Sequence, residues 1–165
     1  MSTNYRVSSA VAITLASLAA SSNLTVGRAS ALVTNAGSRD DFVMPYLRVR
    51  TNSTPPTAGG QIELWAFARR ADGTWPELFS SAYTGIDAAA TVVSREILFA
   101  GAVLLCSVAN DATASRDYVL RAREIAMAFG AVPQEFAFFV TQSTGQALDS
   151  TAGNHALTVN PGSYT

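Results

Sequence analysis

The stretch that decides the fold is QIELWAFARR, residues 61–70. Successive side chains of an extended strand point to opposite faces, so Ile62 and Leu64 share one face while Trp65 and Phe67 share the other. Large apolar side chains therefore occupy both faces. We predict a strand that is covered on one side by a second sheet and on the other side by a partner protein.

Outward from this stretch, most of the chain is predicted as short strands between turn-forming loops. The loops, such as TNSTPPTAGG and STGQALDSTAGN, are rich in Gly, Pro, Asn, Asp and Ser, which favour turns. The predicted strands span residues 24–34, 42–50, 92–108 (one bent or two short strands), 117–124, 136–142 and 154–160. This succession predicts an all-β protein, an antiparallel β-sandwich of the jelly-roll kind.

Two segments carry a helical pattern instead. In IAMAFGAVP the side chains of Ile125, Ala128 and Phe129 share one helical face, and Gly130 follows as a helix end. We therefore predict one short helix near residues 125–130. The segment GIDAAATVV, residues 85–93, is a second candidate for a helix.

The first 22 residues are predicted to stand apart from the sandwich domain of residues 23–165. Val11, Ile13 and Leu15 lie among small Ala, Ser and Thr residues, which suits close contact with another surface. Two interpretations stay open: an arm against a neighbouring subunit, or an edge strand of the chain's own sandwich. Serines and threonines dilute the apolar run that a secretory signal needs, so we expect this segment to remain in the mature protein.

Composition excludes several function classes. With 12 acidic and 11 basic residues the formal net charge is −1, so the chain lacks the basic excess that binds nucleic acid. No apolar stretch reaches the length of about 18 residues that a membrane helix needs. Charged residues make up only 14% and apolar residues 48%, so we expect part of the apolar surface to meet other subunits.

The sequence offers little for catalysis or for a cofactor. His155 is the only histidine, no G-x-S-x-G motif occurs, and Cys106 is the only cysteine, inside an apolar run where a thiolate is disfavoured. One histidine and one cysteine do not make a structural zinc site. We expect no enzyme activity, no cofactor and no metal, with His155 as a packing or hydrogen-bonding residue after the loop 143–154.

Arginines recur at strand spacing, and the sequence has no lysine. Arg48 and Arg50 share one strand face, as do Arg121 and Arg123. Two interpretations are open: such a face is simply solvated, or its guanidinium groups dock onto carboxylates of a partner. In an oligomer of this chain, the candidate carboxylate partners of these arginines are Asp117, Glu124 and Glu135.

Aromatic side chains allow a different function. Trp75, Tyr83 and the 143–154 loop have the residue types that bind sugars, although core or interface packing is the other use of such rings. They define the alternative function, a receptor- or glycan-binding component of a head spike or tail.

Three segments carry a family resemblance: VAITLASLAASSNLTVGRAS, TPPTAGGQIELWAFA and FFVTQSTGQALDSTAGNHALTV. In this order they resemble a family of small virion structural proteins of tailed bacteriophages, over nearly the whole chain and without any catalytic motif. The resemblance implies a jelly-roll-like sandwich that forms trimers and decorates capsids; tail and fibre attachment also occur.

From the residues and the resemblance together we expect a non-enzymatic capsid decoration or cement protein. Its partners would be further copies of itself, as a homotrimer, and the phage major capsid protein, without nucleic acid or membrane. It would act in the virion, assembled in the cytoplasm of the bacterial host. The predicted contact residues are Val11, Ile13, Leu15, Arg48, Arg50, Trp65, Phe67, Arg121 and Arg123.

Overall fold

A computed structural model describes residues 2–164 as two antiparallel sheets with two short helices. The strands are β1 (Thr3–Tyr5), β2 (Ser9–Val11), β3 (Val26–Ala29), β4 (Val33–Thr34), β5 (Phe42–Arg50), β6 (Gln61–Ala68), β7 (Ala88–Thr91), β8 (Val103–Ala109), β9 (Asp117–Arg121), β10 (Glu135–Gln142) and β11 (Ala156–Tyr164). The helices are α1 (Arg95–Gly101) and α2 (Ile125–Phe129), and a 3₁₀ turn spans Ala152–Asn154.

The two sheets, called sheet I and sheet II, form a sandwich. Sheet I has the order β1-β11-β5-β9, and β2 also pairs with β11. Sheet II has the order β7-β3-β10-β6-β8, and β4 also pairs with β10. The predicted all-β antiparallel sandwich is confirmed, with α2 where the short helix was predicted.

The main core lies between the sheets and follows the period-two pattern of the strands. Leu47 and Leu157 from sheet I share one buried cluster with Ile62, Leu64 and Phe138 from sheet II. Each of these side chains is at most 1% exposed. The predicted second sheet therefore covers the Ile62 face of β6.

A second core covers the opposite face of sheet II, and the chain itself supplies it. Trp65 and Phe67 are fully buried against Leu78, Phe79 and Leu98, which come from α1 and the segment before β7. The prediction that a partner covers this face is wrong. Because neither ring is exposed, a partner cannot touch Trp65 or Phe67 in the folded chain, and both leave the set of contact residues.

A buried carboxylate fixes α1 on sheet II. Glu63, which is 5% exposed, accepts a hydrogen bond from Trp65 Nε1 at 2.8 Å. It also accepts two bonds from the Arg95 guanidinium, at 2.7 and 3.1 Å. The guanidinium lies 5.1 Å from the ring centres of both Trp65 and Phe99, a cation–π arrangement. Strand and helix are thereby joined by charge as well as by apolar packing.

Two sequence predictions are wrong in the type of secondary structure: one segment predicted as a strand contains a helix, and one predicted as a helix contains a strand. The predicted strand 92–108 contains α1, whose start is capped by Ser94 accepting from the Ile97 N–H and whose Leu98 faces the sheet. The candidate helix 85–93 contains strand β7, because pairing with β3 overrides the helix propensity of its alanines. An apolar run by itself does not distinguish the two states.

The N-terminal segment belongs to the chain's own sheet. Strands β1 and β2 both pair with β11, and Val11 and Leu15 are 8% and 1% exposed in the main core, with Ile13 packed against it. The expectation that Val11 and Leu15 contact another subunit is therefore corrected: they contact their own sandwich. The side chains of residues 2–10 are exposed, and Met1 lies outside the described residues.

Candidate interaction surface

The outer face of sheet I is open to solvent, and we call it the open face. Alternate residues of its strands point away from the core, so Arg48 lies opposite Val119 and Tyr46 lies opposite Arg121. Val119 is 70% exposed. The open face comprises Tyr5, Phe42, Met44, Tyr46, Arg48, Val119, Arg121 and Tyr164, of which Phe42 is buried, at 5% exposed, beneath its neighbours.

One end of the open face is aromatic. The Phe42 ring lies 5.4 Å from the Tyr5 ring and 5.3 Å from the Tyr164 ring. It packs over Gly162, where a Cβ atom would lie only 2.2 Å from the Phe42 ring and 2.7 Å from the Asn4 carbonyl oxygen. Glycine is thus required for this packing, which leaves Tyr5 and Tyr164 63% and 51% exposed.

The other end of the open face, on the β5–β9 side of sheet I, carries positive charge that no carboxylate of the described residues neutralises. Six of the 11 arginines form ion pairs among the described residues, which leaves five. Arg48 and Arg121 of the open face are among these five, and so is Arg123, which is exposed just beyond β9. Arg48 donates to the Gly153 carbonyl at 2.7 Å. An acidic surface would complement this end of the face.

The carboxylates suggested as partners are already used inside the chain. Asp117 pairs with Arg50 at 3.2 Å, so the predicted docking residue Arg50 is also occupied. Glu135 pairs with Arg69 at 2.5 Å. Glu124 caps α2 by accepting the N–H groups of the next turn and of Val43. These three carboxylates are therefore already engaged within the described chain and do not pair with Arg48, Arg121 or Arg123.

The composition of the open face is that of a protein interface. Tyr, Phe, Met and Arg are enriched in interfaces, whereas Lys, Glu and Asp are depleted. Seven of the eight residues of the open face are Tyr, Phe, Met or Arg, and the eighth is Val119; Tyr46 lies opposite Arg121 on the neighbouring strand. The arrangement is suited to binding a partner by apolar contact at one end and by charge at the other.

The loop between β10 and β11 is a structural connection. Gln142 Nε2 donates to the carbonyls of Leu18 and Gln146, at 3.0 and 2.9 Å, and Gln142 Oε1 accepts from the N–H and the hydroxyl of Thr144, both at 2.7 Å. His155 Nε2 donates to the Asp149 carbonyl at 2.8 Å, and Nδ1 accepts from the Arg50 N–H at 3.4 Å. Both ring nitrogens therefore bond to backbone, as expected for a packing histidine.

The structure does not bring together the residues of the glycan-binding alternative. The Trp75 and Tyr83 rings pack edge to face at 4.8 Å and both contact Phe67. The 143–154 loop begins at the other end of β6, where Ser143 N–H donates to the Gln61 carbonyl. Six residues along a strand span roughly 20 Å. Trp75 and this loop therefore belong to separate surfaces.

Neither a metal cluster nor a membrane helix is found in the described part of the chain. Nowhere in residues 2–164 do three His, Cys, Asp or Glu side chains gather as a metal site requires. Within the same residues, neither helix is long and apolar enough to cross a membrane.

Comparisons with known proteins give only weak likenesses. No protein-family model matches the chain, and no curated protein matches it. A crystal structure of dimeric latent PorU from Porphyromonas gingivalis is similar at 12% identity and a TM-score of 0.38, over 97% of this chain but 13% of that one. A structure of turnip yellow mosaic virus is similar at 11% identity and a TM-score of 0.34, over 98% of this chain and 78% of that one. Likenesses this weak carry no argument about function.

The open face contains part of the predicted contact set and several residues that sequence reasoning missed. Of the predicted residues, Arg48, Arg121 and the adjoining Arg123 remain available. Some of the missed residues could have been predicted from the alternation of side chains along a strand, since Phe42, Met44 and Tyr46 share the face of Arg48 in FVMPYLRVR. No such signal existed for Tyr5 and Tyr164, because only the β1–β11 pairing places them there.

Cys106 gives a prediction about reactivity. Burial raises the pKa of its thiol to about 11, so the reactive thiolate is scarce at neutral pH. We expect a disulfide reagent to label Cys106 far more slowly in the native chain than in the unfolded chain, with a native rate that rises as the pH approaches this pKa. Because the folded pKa is raised, the thiol's contribution to stability is present below the ordinary cysteine pKa and is lost above it. Equal labelling rates in the two states at neutral pH would contradict the burial.

Proposed function

We propose that this chain is a non-enzymatic structural protein of a tailed-bacteriophage virion, and specifically a capsid decoration or cement protein. In this proposal it is assembled in the cytoplasm of the bacterial host, associates as a homotrimer and binds the major capsid protein. The observation that carries the proposal is the open face, where Arg48 and Arg121, which pair with no carboxylate of the described residues, share a sheet face with the exposed rings of Tyr5 and Tyr164. The segment resemblance to virion structural proteins supports the same function.

Such a protein acts by binding energy alone. A ligand that binds only the assembled state stabilises it, because disassembly must first break the contacts. A specific interface buries about 800 Å² on each partner, and guanidinium groups bind carboxylates through two parallel hydrogen bonds. Many copies on adjacent capsomers would therefore raise the barrier to rupture of the shell.

The double charge reversal Arg48→Glu/Arg121→Glu tests the docking role. We expect the copy number per particle to fall about tenfold or more, because two attractive contacts to an acidic surface become repulsive and a tenfold change needs only about 1.4 kcal/mol. The measurement is gel densitometry of purified particles assembled with wild-type or variant protein.

The matched control is Arg39→Glu/Arg70→Glu. It makes the same change of charge at two exposed arginines that lie outside the open face and outside the six ion pairs. This control should incorporate at the wild-type level. Wild-type incorporation of the Arg48/Arg121 variant would show that the open face does not dock. A copy number far below that of the capsid protein, for the wild-type chain, would instead indicate a tail component.

A further inference from the structure

Strand β9 forms one edge of sheet I, next to β5. Two hydrogen bonds show which of its backbone groups face β5. Thr51 N–H donates to the Arg116 carbonyl at 3.0 Å, just before β9, and Ala122 N–H donates to the Pro45 carbonyl at 3.1 Å, just after it. Because the direction of these groups alternates along an antiparallel strand, the even-numbered residues bond to β5 and the odd-numbered residues point away from the sheet.

The outer side of β9 is unpaired at Val119 and Arg121. Within residues 2–164, the N–H and carbonyl groups of these two residues have no hydrogen-bond partner. The neighbouring strand β8 reaches this side of the chain beyond the end of β9, where Arg123 N–H donates to the Leu105 carbonyl at 3.0 Å. Neither a proline nor a bulge interrupts β9, although both are common means of blocking an edge. Such an edge is able to pair with another strand.

The side chains of this edge specify which strand would fit. Val119 is 70% exposed, Arg121 is exposed two residues further on, and both belong to the open face. Arg48 lies opposite Val119 on β5, and neither arginine pairs with a carboxylate of the described residues. Side chains directly opposite each other on neighbouring strands lie about 5 Å apart. An added strand with an apolar residue beside Val119 and an acidic residue beside Arg121 would therefore complement this edge.

We propose that β9 binds an extended segment of a partner protein as an added antiparallel strand, in which apolar and acidic side chains lie beside Val119 and Arg121. The backbone groups of these two residues supply hydrogen bonds, and their side chains supply specificity. Residues 2–22 of a second copy do not fit this description, because they contain no acidic residue. The inference deepens the proposed function, on which its role in the virion rests, by naming the form of the partner segment.

A short synthetic peptide tests strand addition on the full chain. The acetylated and amidated probe alternates threonine with one valine and one glutamate, and nuclear magnetic resonance follows the amide groups of β9. We expect the probe to shift the amide signals of Val119 and Arg121 and to slow the exchange of these two N–H groups with solvent. Failure of the probe to bind would overturn the proposal.

Two N-methylated forms of the peptide provide matched controls. Methyl groups on the valine and glutamate nitrogens block the N–H groups that face β9, and we expect this form to bind at least about tenfold more weakly. The same number of methyl groups on threonine nitrogens, which face solvent, should leave the affinity within about twofold. Equal binding of the two methylated forms would overturn the proposal, because side-chain contacts alone would then account for binding.

Val119→Pro tests the same hydrogen bonds from the side of the chain. The Val119 N–H points away from β5, so proline removes the outer donor and leaves the pairing with β5 intact, as edge strands allow. Binding of the probe should weaken about tenfold or more, whereas Val119→Thr, which keeps the N–H, should bind within about twofold. Wild-type affinity of Val119→Pro would contradict strand addition. If this variant does not fold, the methylated peptides still decide.

The peptide and the particle experiments separate this inference from the proposed function. Strand addition with the expected controls, together with wild-type incorporation of the Arg48/Arg121 variant into particles, would refute the capsid role and retain the binding edge. Loss of incorporation of that variant without binding of the probe would retain the capsid role and refute strand addition.

Discussion

Replacement of Glu63 by alanine is expected to lower the free energy of unfolding by about 3–5 kcal/mol. The substitution removes the carboxylate that accepts from Trp65 Nε1 and from the Arg95 guanidinium, both of which lie at the interface of sheet II and α1. The Arg95 side chain is only 24% exposed, so water replaces the lost partner incompletely. The indole N–H then loses its acceptor and the buried guanidinium keeps only the long bond to the Leu24 carbonyl, at 3.4 Å, among the described residues, which costs more than the loss of one hydrogen bond.

Urea unfolding followed by tryptophan fluorescence measures this effect. Glu77→Ala is the matched control, since Glu77 is exposed and takes part in none of the ion pairs of the described residues, and its change should stay within about 0.5 kcal/mol. Glu63→Gln should fall between the two, because its amide oxygen still accepts from Trp65 while the charge is lost. A loss below about 1 kcal/mol for Glu63→Ala would mean that the cluster does not hold α1.

Leu15→Ala is expected to cost about 2–5 kcal/mol, the range for a leucine truncated in a packed core. Leu15 is 1% exposed in the cluster between the two sheets, although it belongs to the N-terminal segment that the sequence separates from the domain. The substitution leaves a cavity that the surrounding strands cannot fully close. Thermal and urea unfolding of the full chain measure the cost.

Deletion of residues 2–5, which removes β1, provides the contrast. These side chains are exposed, and the deletion leaves the Arg6–Asp40 ion pair, β2 and Leu15 in place. The shortened chain should remain folded and lose far less stability than Leu15→Ala. The opposite order of the two effects would show that the segment is anchored by β1 and not by its contact with the core.

Sequence pattern was a reliable guide wherever a strand is buried on alternate residues. The prediction of 42–50 coincides with β5, β10 was placed within one residue, and β6 lies inside the stretch 61–70, because inward side chains at a spacing of two reveal an extended backbone directly. The helix α2 was likewise predicted, since Gly130 takes the left-handed conformation that ends a helix, with φ of 84°. The pattern also marked Arg48 and Arg121 as outward-facing.

Sequence patterns were not sufficient to predict the candidate interaction surface. Apolar residues on both faces of β6 correctly indicated two covers, but the sequence did not tell a partner from the chain's own α1, which lies about 30 residues further along. The sequence also suggested Asp117 and Glu135 as acceptors for another subunit, whereas in the structure they pair with Arg50 and Arg69 of the same chain.

Local periodicity by itself therefore determined the strands β5, β6 and β10, the short helix α2 and the direction in which Arg48 and Arg121 point. Only the tertiary structure determined which side chains are exposed to solvent and which are buried. It buried Trp65, Phe67, Val11 and Leu15, and it joined Tyr5 and Tyr164 to Phe42 across the β1–β11 pairing. The physical reason is that exposure and ion pairing depend on contacts between residues distant in the chain, whereas strand and helix periods depend on neighbours.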